Sequence, residues 1–249
     1  MFSFISYIYN TAFLEPLLNG LVFLVGHVPL HDMGLAIIIL TLVVRLIIFP
    51  FNHKSVIAQR KIKHLAPEIE DIKSKHKNDP REKAKKTMEL YKKHGINPMS
   101  GFLTLLIQIP IILALYKVFL GGMDFDTSKL YSFIAVPEQI STMFLGLIDV
   151  TKSSYVMAFL AAFSQFFQMR LAIPPLSNTK KPAGQESFKD NLAKSMSIQM
   201  RYVMPFFIFF IALKLSSAIA IYWTTMNVFA IVHEIVVKRK ADKLLKENA

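Results

Sequence analysis

The sequence predicts an all-α membrane protein with five transmembrane helices around a hydrophilic groove. A cytosolic antiparallel helical hairpin and an N-terminal interfacial amphipathic helix complete the predicted fold. Several apolar segments approach the ~20 residues that a helix needs to cross the hydrocarbon core. The charged residues, which give a net charge of +12, are confined to a few blocks between those segments. Polar residues inside the apolar segments predict the groove, because such groups are costly in lipid and normally face the protein interior.

The N-terminal segment is apolar but interrupted. From Pro16 onward, leucine and valine side chains would share one face of a helix, away from Asn19 and Gly20. We interpret this helix as lying on the outer membrane surface, with an additional transmembrane span as the alternative. No Lys or Arg precedes Arg45, so the segment lacks the basic region of a signal peptide.

The expected order of segments follows the alternation of apolar and charged stretches. It comprises an extracytosolic segment with the interfacial helix (1–32), the first span (33–52), a cytosolic basic hairpin (53–97), the second span (98–120), an extracytosolic segment (121–154), the third span (155–173), a cytosolic loop (174–198), the fourth and fifth spans (199–237) and a basic cytosolic tail (238–249). A short turn around Leu215 and Ser216 joins the last two spans. Loops on the hairpin side carry 24 Lys and Arg residues against three on the other side, which predicts an outside N-terminus and a cytosolic C-terminus.

The hairpin region is basic and helical in pattern. Its first arm has an apolar seam at helical spacing, formed by Ile62, Leu65, Ile69 and Ile72. Pro67 should interrupt this arm, and Asp79 before Pro80 predicts the N-cap of a return helix. The packing face expected of the return helix comprises Ala84, Met88 and Tyr91.

Arg45 interrupts the first span, six residues before Phe51. A guanidinium at membrane depth costs roughly 2.5–3.5 kcal/mol on insertion scales, so it must reach an interface or meet polar groups or water. One interpretation is that Arg45 snorkels to the cytosolic interface. The other is a wet recess, which polar residues in four of the five spans favour. The residues expected to line it are Thr41, Arg45, Gln108, Gln165, Thr224 and Asn227, with Gln168 as the alternative to Gln165.

Catalytic signatures are missing from the sequence. There is no Cys, no pair of carboxylates inside a span, and no metalloprotease, nucleophile-elbow or phosphate-loop motif. We therefore expect no enzyme activity, no cofactor and no metal site. A small transporter or channel, or an assembly factor that binds partners without moving them, are the alternatives to the function considered next.

Five motifs follow one another along the chain. They are residues 34–50 around Arg45-Leu-Ile-Ile-Phe-Pro50, residues 65–68 (Leu-Ala-Pro-Glu), residues 90–98 ending in Gly-Ile-Asn-Pro, residues 108–116 beginning Gln-Ile-Pro, and residues 221–227 (Ile-Tyr-Trp-Thr-Thr-Met-Asn). In this order and spacing they resemble the motifs of the YidC/Oxa/Alb family of membrane protein insertases. The chain looks like the short form of that family, without the large extracytosolic domain.

The resemblance implies an insertase that inserts and helps fold nascent membrane proteins, alone or with the Sec translocon. Arg45 would correspond to the groove arginine, Trp223 to a groove aromatic, and Gln108 and Gln165 to groove glutamines. From residue type alone, Trp223 also fits an aromatic belt. The hairpin would receive substrates, and the basic tail would contact the ribosome. We further expect contact with anionic lipids, no DNA partner, and a multi-pass location in a bacterial cell membrane.

Overall fold

The computed structural model describes residues 2–77, 79–97, 99–120, 127–172 and 195–247. These residues are helical apart from turns and one short ribbon, which confirms the all-α prediction. Within the described ranges, three helical segments are long and apolar enough to cross a membrane, namely Ser6–His27, Ser195–Ala212 and Ser217–Val237. The helices at Met33–Ile47 and Phe49–His64 together would form a fourth, broken span. Most of the predicted cytosolic loop at 174–198 lies outside the described residues.

The helices, numbered along the chain, are α1 (Phe2–Tyr9), α2 (Glu15–His27), α3 (Met33–Ile47), α4 (Phe49–His64), α5 (Ala66–Lys75), α6 (Pro80–Lys93), α7 (Ser100–Leu120), α8 (Tyr155–Ala172), α9 (Met204–Ala212) and α10 (Ser217–Glu247). A π-helical turn at Asn10–Leu14 makes α1 and α2 continuous, and another at Gln199–Val203 leads into α9. The chain forms two compact units, Met1–Arg45 with Pro110–Val236, and Leu46–Ile109 with Val237–Ala249.

In the first unit, α2 buries the residue that the sequence pattern assigned to its polar face. Asn19 is 1% exposed. Its Nδ2 donates hydrogen bonds to the carbonyl oxygens of Glu15 and Lys129 at 2.8 and 2.9 Å, and its Oδ1 accepts one from the Tyr131 amide at 2.7 Å. The predicted division of this helix into polar and apolar faces is therefore wrong at Asn19, because a loop more than a hundred residues away satisfies its amide. The segment Ser6–His27 is also long enough for the alternative of a span, and its interfacial placement stays a prediction.

Asp32 fixes the start of α3. Its Oδ1 accepts hydrogen bonds from the amides of Gly34 and Leu35 at 2.7 and 3.1 Å, which is an N-cap. Its Oδ2 accepts a third from the Leu145 amide at 2.7 Å. Leu145 lies at the tip of an antiparallel ribbon of β1 (Met143–Phe144) and β2 (Ile148–Asp149). The start of α3 is thereby tied to the loop segment before α8.

The start of α10 is held in a similar way. The Ser217 hydroxyl donates to the Lys152 carbonyl oxygen at 2.7 Å, and the Ala218 amide donates to the Val150 carbonyl oxygen at 2.9 Å. Only residues 213–216 separate α9 from α10, as the sequence predicted. Three segments predicted to be extracytosolic, at the ends of α2, α8 and α9, thus meet at one end of the first unit.

The second unit contains the helical hairpin. Its core is formed by Ala58, Leu65, Ile69, Leu90 and Ile96, with Ile62, Ile72 and Tyr91 packed against it. The break between α4 and α5 confirms the interruption expected from Pro67, and Asp79 caps α6 through the amides of Arg81 and Glu82. The predicted face of the return helix is wrong in part. Met88 is 45% exposed, whereas the inward position belongs to Leu90.

Candidate functional site

Arg45 lies on the inward face of α3. Going back along the helix in steps of four, this face carries Thr41 and Ile37, which are 3% and 1% exposed. The Thr41 hydroxyl donates to the Ile37 carbonyl oxygen at 2.6 Å, so it is satisfied within the helix. Val43 and Ile47 on the opposite face are 43% and 69% exposed. Arg45 is half-buried, and its side chain leaves the helix on the buried side.

The neighbour of the Arg45 guanidinium is Tyr222 on α10. The two side chains lie within electrostatic range of each other, and Tyr222 is 4% exposed. Tyr222 lies five residues after Ser217, or ~8 Å along the axis of α10. Ser217 is bound to the segment before α8, so Tyr222 stands close to the held end of α10.

Arg45 has no counter-ion among the residues that the structure describes, and its side chain makes no ion pair or hydrogen bond with them. A partly buried cation without an acidic partner attracts an anionic group more strongly than a cation in bulk water does. The arrangement can therefore bind a carboxylate or another anion that arrives from outside the chain.

Helix α10 supplies further polar and aromatic groups next to Tyr222. Trp223 and Thr224 are half-buried, and the Thr224 hydroxyl donates to the Ala220 carbonyl oxygen at 2.8 Å. Thr225 is bonded in the same way to Ile221 at 2.8 Å. These hydroxyls do not create unsatisfied donors, and their oxygens can still accept hydrogen bonds.

Asn227 is more deeply placed. It is 2% exposed, and its Nδ2 donates to the Ser164 Oγ of α8 at 3.1 Å. On α8, Gln165 is half-buried and its Nε2 lies 3.5 Å from the Oε1 of Gln168. The two glutamines that were alternatives are therefore neighbours of each other. Gln108 is half-buried on α7 and belongs to the second unit.

Sequence reasoning did not select Tyr222 or Ser164 as site residues. Tyr222 lies inside the motif at 221–227, so the motif could have indicated it as a site residue. The partnership of Ser164 with Asn227 has no signal in one sequence, because it depends on the rotation of two helices about their axes.

Known proteins resemble this chain over most of its length. The family model described as 60Kd inner membrane protein matches residues 24–244, which is most of the chain. The chain belongs to this family. The 60Kd inner membrane protein family contains the YidC/Oxa insertases, so the resemblance found in the motifs is confirmed.

Members of the 60Kd inner membrane protein family match this chain over very different shares of their own length. The membrane protein insertase YidC of Clostridium tetani is 34% identical over 215 residues, covering 86% of both chains. That of Oceanobacillus iheyensis is 30% identical over 237 residues, covering 93% of this chain and 84% of the relative. That of Campylobacter jejuni is 44% identical over 120 residues, and the match spans only 22% of it.

Membership of the 60Kd inner membrane protein family, together with the apolar helices, makes the chain a multi-pass protein of the inner membrane. Its relatives are named for membrane protein insertion rather than for a catalysed reaction. Within the described residues, no three His, Cys, Asp or Glu side chains are grouped as metal ligands.

Proposed function

We propose that this chain is a membrane protein insertase, which inserts nascent membrane proteins and helps them fold. The observation that carries this function is the half-buried Arg45, on the inward face of α3 beside Tyr222 and without an acidic partner among the described residues. The class of activity is supported by the family and by the names of the relatives.

The mechanism is a reduction of the distance that a polar segment travels through dry hydrocarbon. Moving a hydrophilic tail across ~30 Å of lipid core is opposed by desolvation. A groove wetted from the cytosol brings water next to Arg45, and the guanidinium then pairs transiently with Asp or Glu on the tail. The apolar helix of the substrate moves sideways into lipid, and its burial completes the transfer without a nucleotide.

The remaining predicted groove residues support this passage in two ways. Gln108, Gln165 and Thr224 are half-buried and offer hydrogen-bonding groups to a passing backbone, whereas Thr41 is buried and contributes only to the inward face of α3. Trp223 offers a broad surface with a polar edge. Asn227 acts through structure, because its bond to Ser164 holds α10 against α8.

The proposed orientation has the N-terminus outside and the C-terminus in the cytosol. The excess of Lys and Arg on the hairpin side supports it. So does the meeting of Asn19 with Tyr131 and of Ser217 with Lys152, since all four lie in or beside segments assigned to the same side. In this orientation the hairpin receives substrates at the cytosolic face of a bacterial cell membrane. The Sec translocon, the ribosome and anionic lipids are the proposed partners.

Charge substitution at Arg45 tests the electrostatic step. Arg45→Ala should lower the insertion of substrates with acidic translocated tails about 10-fold, which corresponds to ~1.4 kcal/mol of lost attraction. Substrates with uncharged tails should be affected much less, and Arg45→Lys should preserve both classes. Arg170→Ala, an exposed cation at the end of α8, is the matched control. Equal insertion of both substrate classes by Arg45→Ala would remove Arg45 from the mechanism.

Crosslinking separates an insertase from the alternatives. A photo-crosslinker at Thr224 or Gln108 should capture the apolar helix of a ribosome-tethered nascent chain, whereas one at the exposed Val43 should capture lipid. A crosslink that disappears when the substrate completes its insertion indicates transfer, while a persistent crosslink indicates an assembly factor. Solute flux in proteoliposomes without any crosslink would indicate a transporter or channel.

Trp223 is the only tryptophan and reports on hydration directly. In proteoliposomes, water-soluble acrylamide should quench its fluorescence more than brominated lipid chains do. The reverse order of quenching would place Trp223 in lipid and contradict a wet groove on this face of α10.

A further inference from the structure

The second unit contains a cavity of about 750 Å³ at the base of the helical hairpin. This volume lies within the range of small-molecule sites, ~300–1,000 Å³. One wall is apolar and includes Phe51, Ile57, Met99 and Leu106. The cavity is open on one side, so a molecule larger than its volume can enter with one end.

Two cationic residues, Lys54 and Lys61, also line the cavity. They are seven residues apart on α4, or two helical turns, so they lie on one face ~10 Å from each other. None of the described residues that line the cavity is acidic. Among the described residues, neither lysine has an ion pair, whereas Lys86 further along the hairpin is paired with Glu82 and Glu89.

The position of the cavity along the chain indicates the kind of ligand. Phe51 stands where the apolar residues of the first span give way to His53 and Lys54, and Leu106 belongs to the apolar part of α7. Such a transition from apolar to cationic residues is typical of the level of the lipid headgroups. A ligand that satisfies both the lysines and the apolar lining has a negative charge next to a hydrocarbon chain.

We infer that this cavity binds one anionic phospholipid. Its phosphate oxygens accept hydrogen bonds from Lys54 and Lys61, and the first methylenes of an acyl chain pack against Phe51, Ile57 and Leu106. Basic pockets beside transmembrane helices commonly hold anionic headgroups in this way. The site shares no residue with the Arg45 site, and it rests on the proposed function only in taking anionic lipids as partners.

Native mass spectrometry of the full-length protein, released from nanodiscs that contain phosphatidylglycerol and phosphatidylcholine, tests this site. The wild type should retain one phosphatidylglycerol. Titration with short-chain phosphatidylglycerol should show affinity about 30-fold weaker for the double variant Lys54→Gln/Lys61→Gln, if each lysine contributes as a typical surface-bound cation does. Inorganic phosphate should bind at least an order of magnitude more weakly than the short-chain lipid, because it has no contact with the apolar wall.

Two further variants separate a shaped site from general attraction to the basic hairpin. Lys75→Gln/Lys77→Gln removes the same charge from exposed positions outside the cavity, and it should bind phosphatidylglycerol like the wild type. Ile57→Trp keeps both lysines but fills the cavity, and it should lose the retained lipid. Equal loss in both lysine pairs, equal retention of phosphatidylcholine, or full binding by Ile57→Trp would each overturn the site. Phosphate binding as tight as lipid binding, or displacement of the lipid by an acidic peptide at equal concentration, would assign the lysines to another ligand.

Discussion

Asn227 and Ser164 form a hydrogen bond that joins α10 to α8 in the interior of the first unit, with 3.1 Å between Nδ2 and Oγ. Ser164 in turn donates to the Ala161 carbonyl oxygen at 3.0 Å. The residues are 2% and 7% exposed, so the bond is shielded from competing water. This pair of polar groups inside the spans therefore connects two helices.

Replacing Asn227 should weaken the contact between these helices. Asn227→Leu removes the amide and should lower the free energy of unfolding by about 1 kcal/mol, the usual size of a buried hydrogen bond between membrane helices. Denaturant titration of the protein in detergent measures the change. Thr225→Val is the control, because the Thr225 hydroxyl is bonded only within its own helix. Identical titrations for the two variants would show that the interhelical bond contributes nothing.

Gly34 is required by the close approach of the Phe144 ring. A methyl group added at Gly34 would lie 2.6 Å from the Phe144 Cγ, which is shorter than any normal contact. Gly34→Ala should destabilise the protein by about 1–3 kcal/mol. Gly26→Ala on α2 is the matched control, since its new methyl would lie 3.5 Å from Pro137 Cγ. That control should be neutral or stabilising by up to ~1 kcal/mol, because alanine favours a helix.

A double-variant cycle checks the cause of the Gly34 effect. If overlap with Phe144 is responsible, Gly34→Ala should be much less destabilising in a Phe144→Ala background, as measured by thermal unfolding. Additive effects of the two substitutions would show that overlap with Phe144 does not cause the loss of stability in Gly34→Ala.

The hairpin should depend on Leu90 and not on Met88. Leu90 is 8% exposed and belongs to the hairpin core, so Leu90→Ala should lower the stability of the second unit by about 2–5 kcal/mol. Met88→Ala should change it by less than ~0.5 kcal/mol, because Met88 is 45% exposed. Hydrogen exchange of the α4–α6 amides measures the stability of this unit separately from that of the first unit. Faster exchange in the Met88 variant than in the Leu90 variant would contradict the packing.

The turn after β2 should respond to acid. The Thr151 hydroxyl donates to the Asp149 Oδ1 at 2.7 Å, which lowers the pKa of the Asp149 carboxyl. Slight burial opposes this shift, while the Thr151 amide and the Lys152 ammonium, 3.1 Å from Oδ2, add to it. Since the folded pKa is below the unfolded one, the turn's stabilisation is complete above the unfolded pKa. It is lost as the pH falls through the folded value.

Carbon-detected NMR titration of the Asp149 carboxyl measures this shift. Thr151→Val should raise the pKa toward its ordinary value, because the hydroxyl is lost while the amide remains. Thr151→Ser should leave the pKa lowered. An unchanged pKa in the valine variant would show that the hydroxyl is not its main cause.

Local signals predicted much of the fold. Asp79 before Pro80 marked the start of α6, and Pro67 marked the break in the first arm, because caps and proline act within a few residues. The inward direction of the Arg45 side chain was harder to predict from the sequence. It follows from the buried face of α3 and from Tyr222, and neither can be read from the span itself.

Long-range pairings were the part that sequence reasoning could not supply. Asn19 looked like a polar interruption of α2, yet it is buried because residues 129 and 131 satisfy its amide. Asp32 binds the Leu145 amide, 113 positions further along the chain, and no local pattern indicates that pairing. On α6, helical spacing allowed more than one inward face, and Leu90 rather than Met88 was selected by contact with the first arm.

The bond between Ser217 and Lys152 joins residues 65 positions apart, and the later of the two opens the last helix of the chain. During synthesis the contact of α10 with this end of the molecule therefore forms last, after the bonds of Asn19 and Asp32 to the segment before α8. A chain that stops before α10 lacks both this hydrogen bond and the tyrosine beside Arg45.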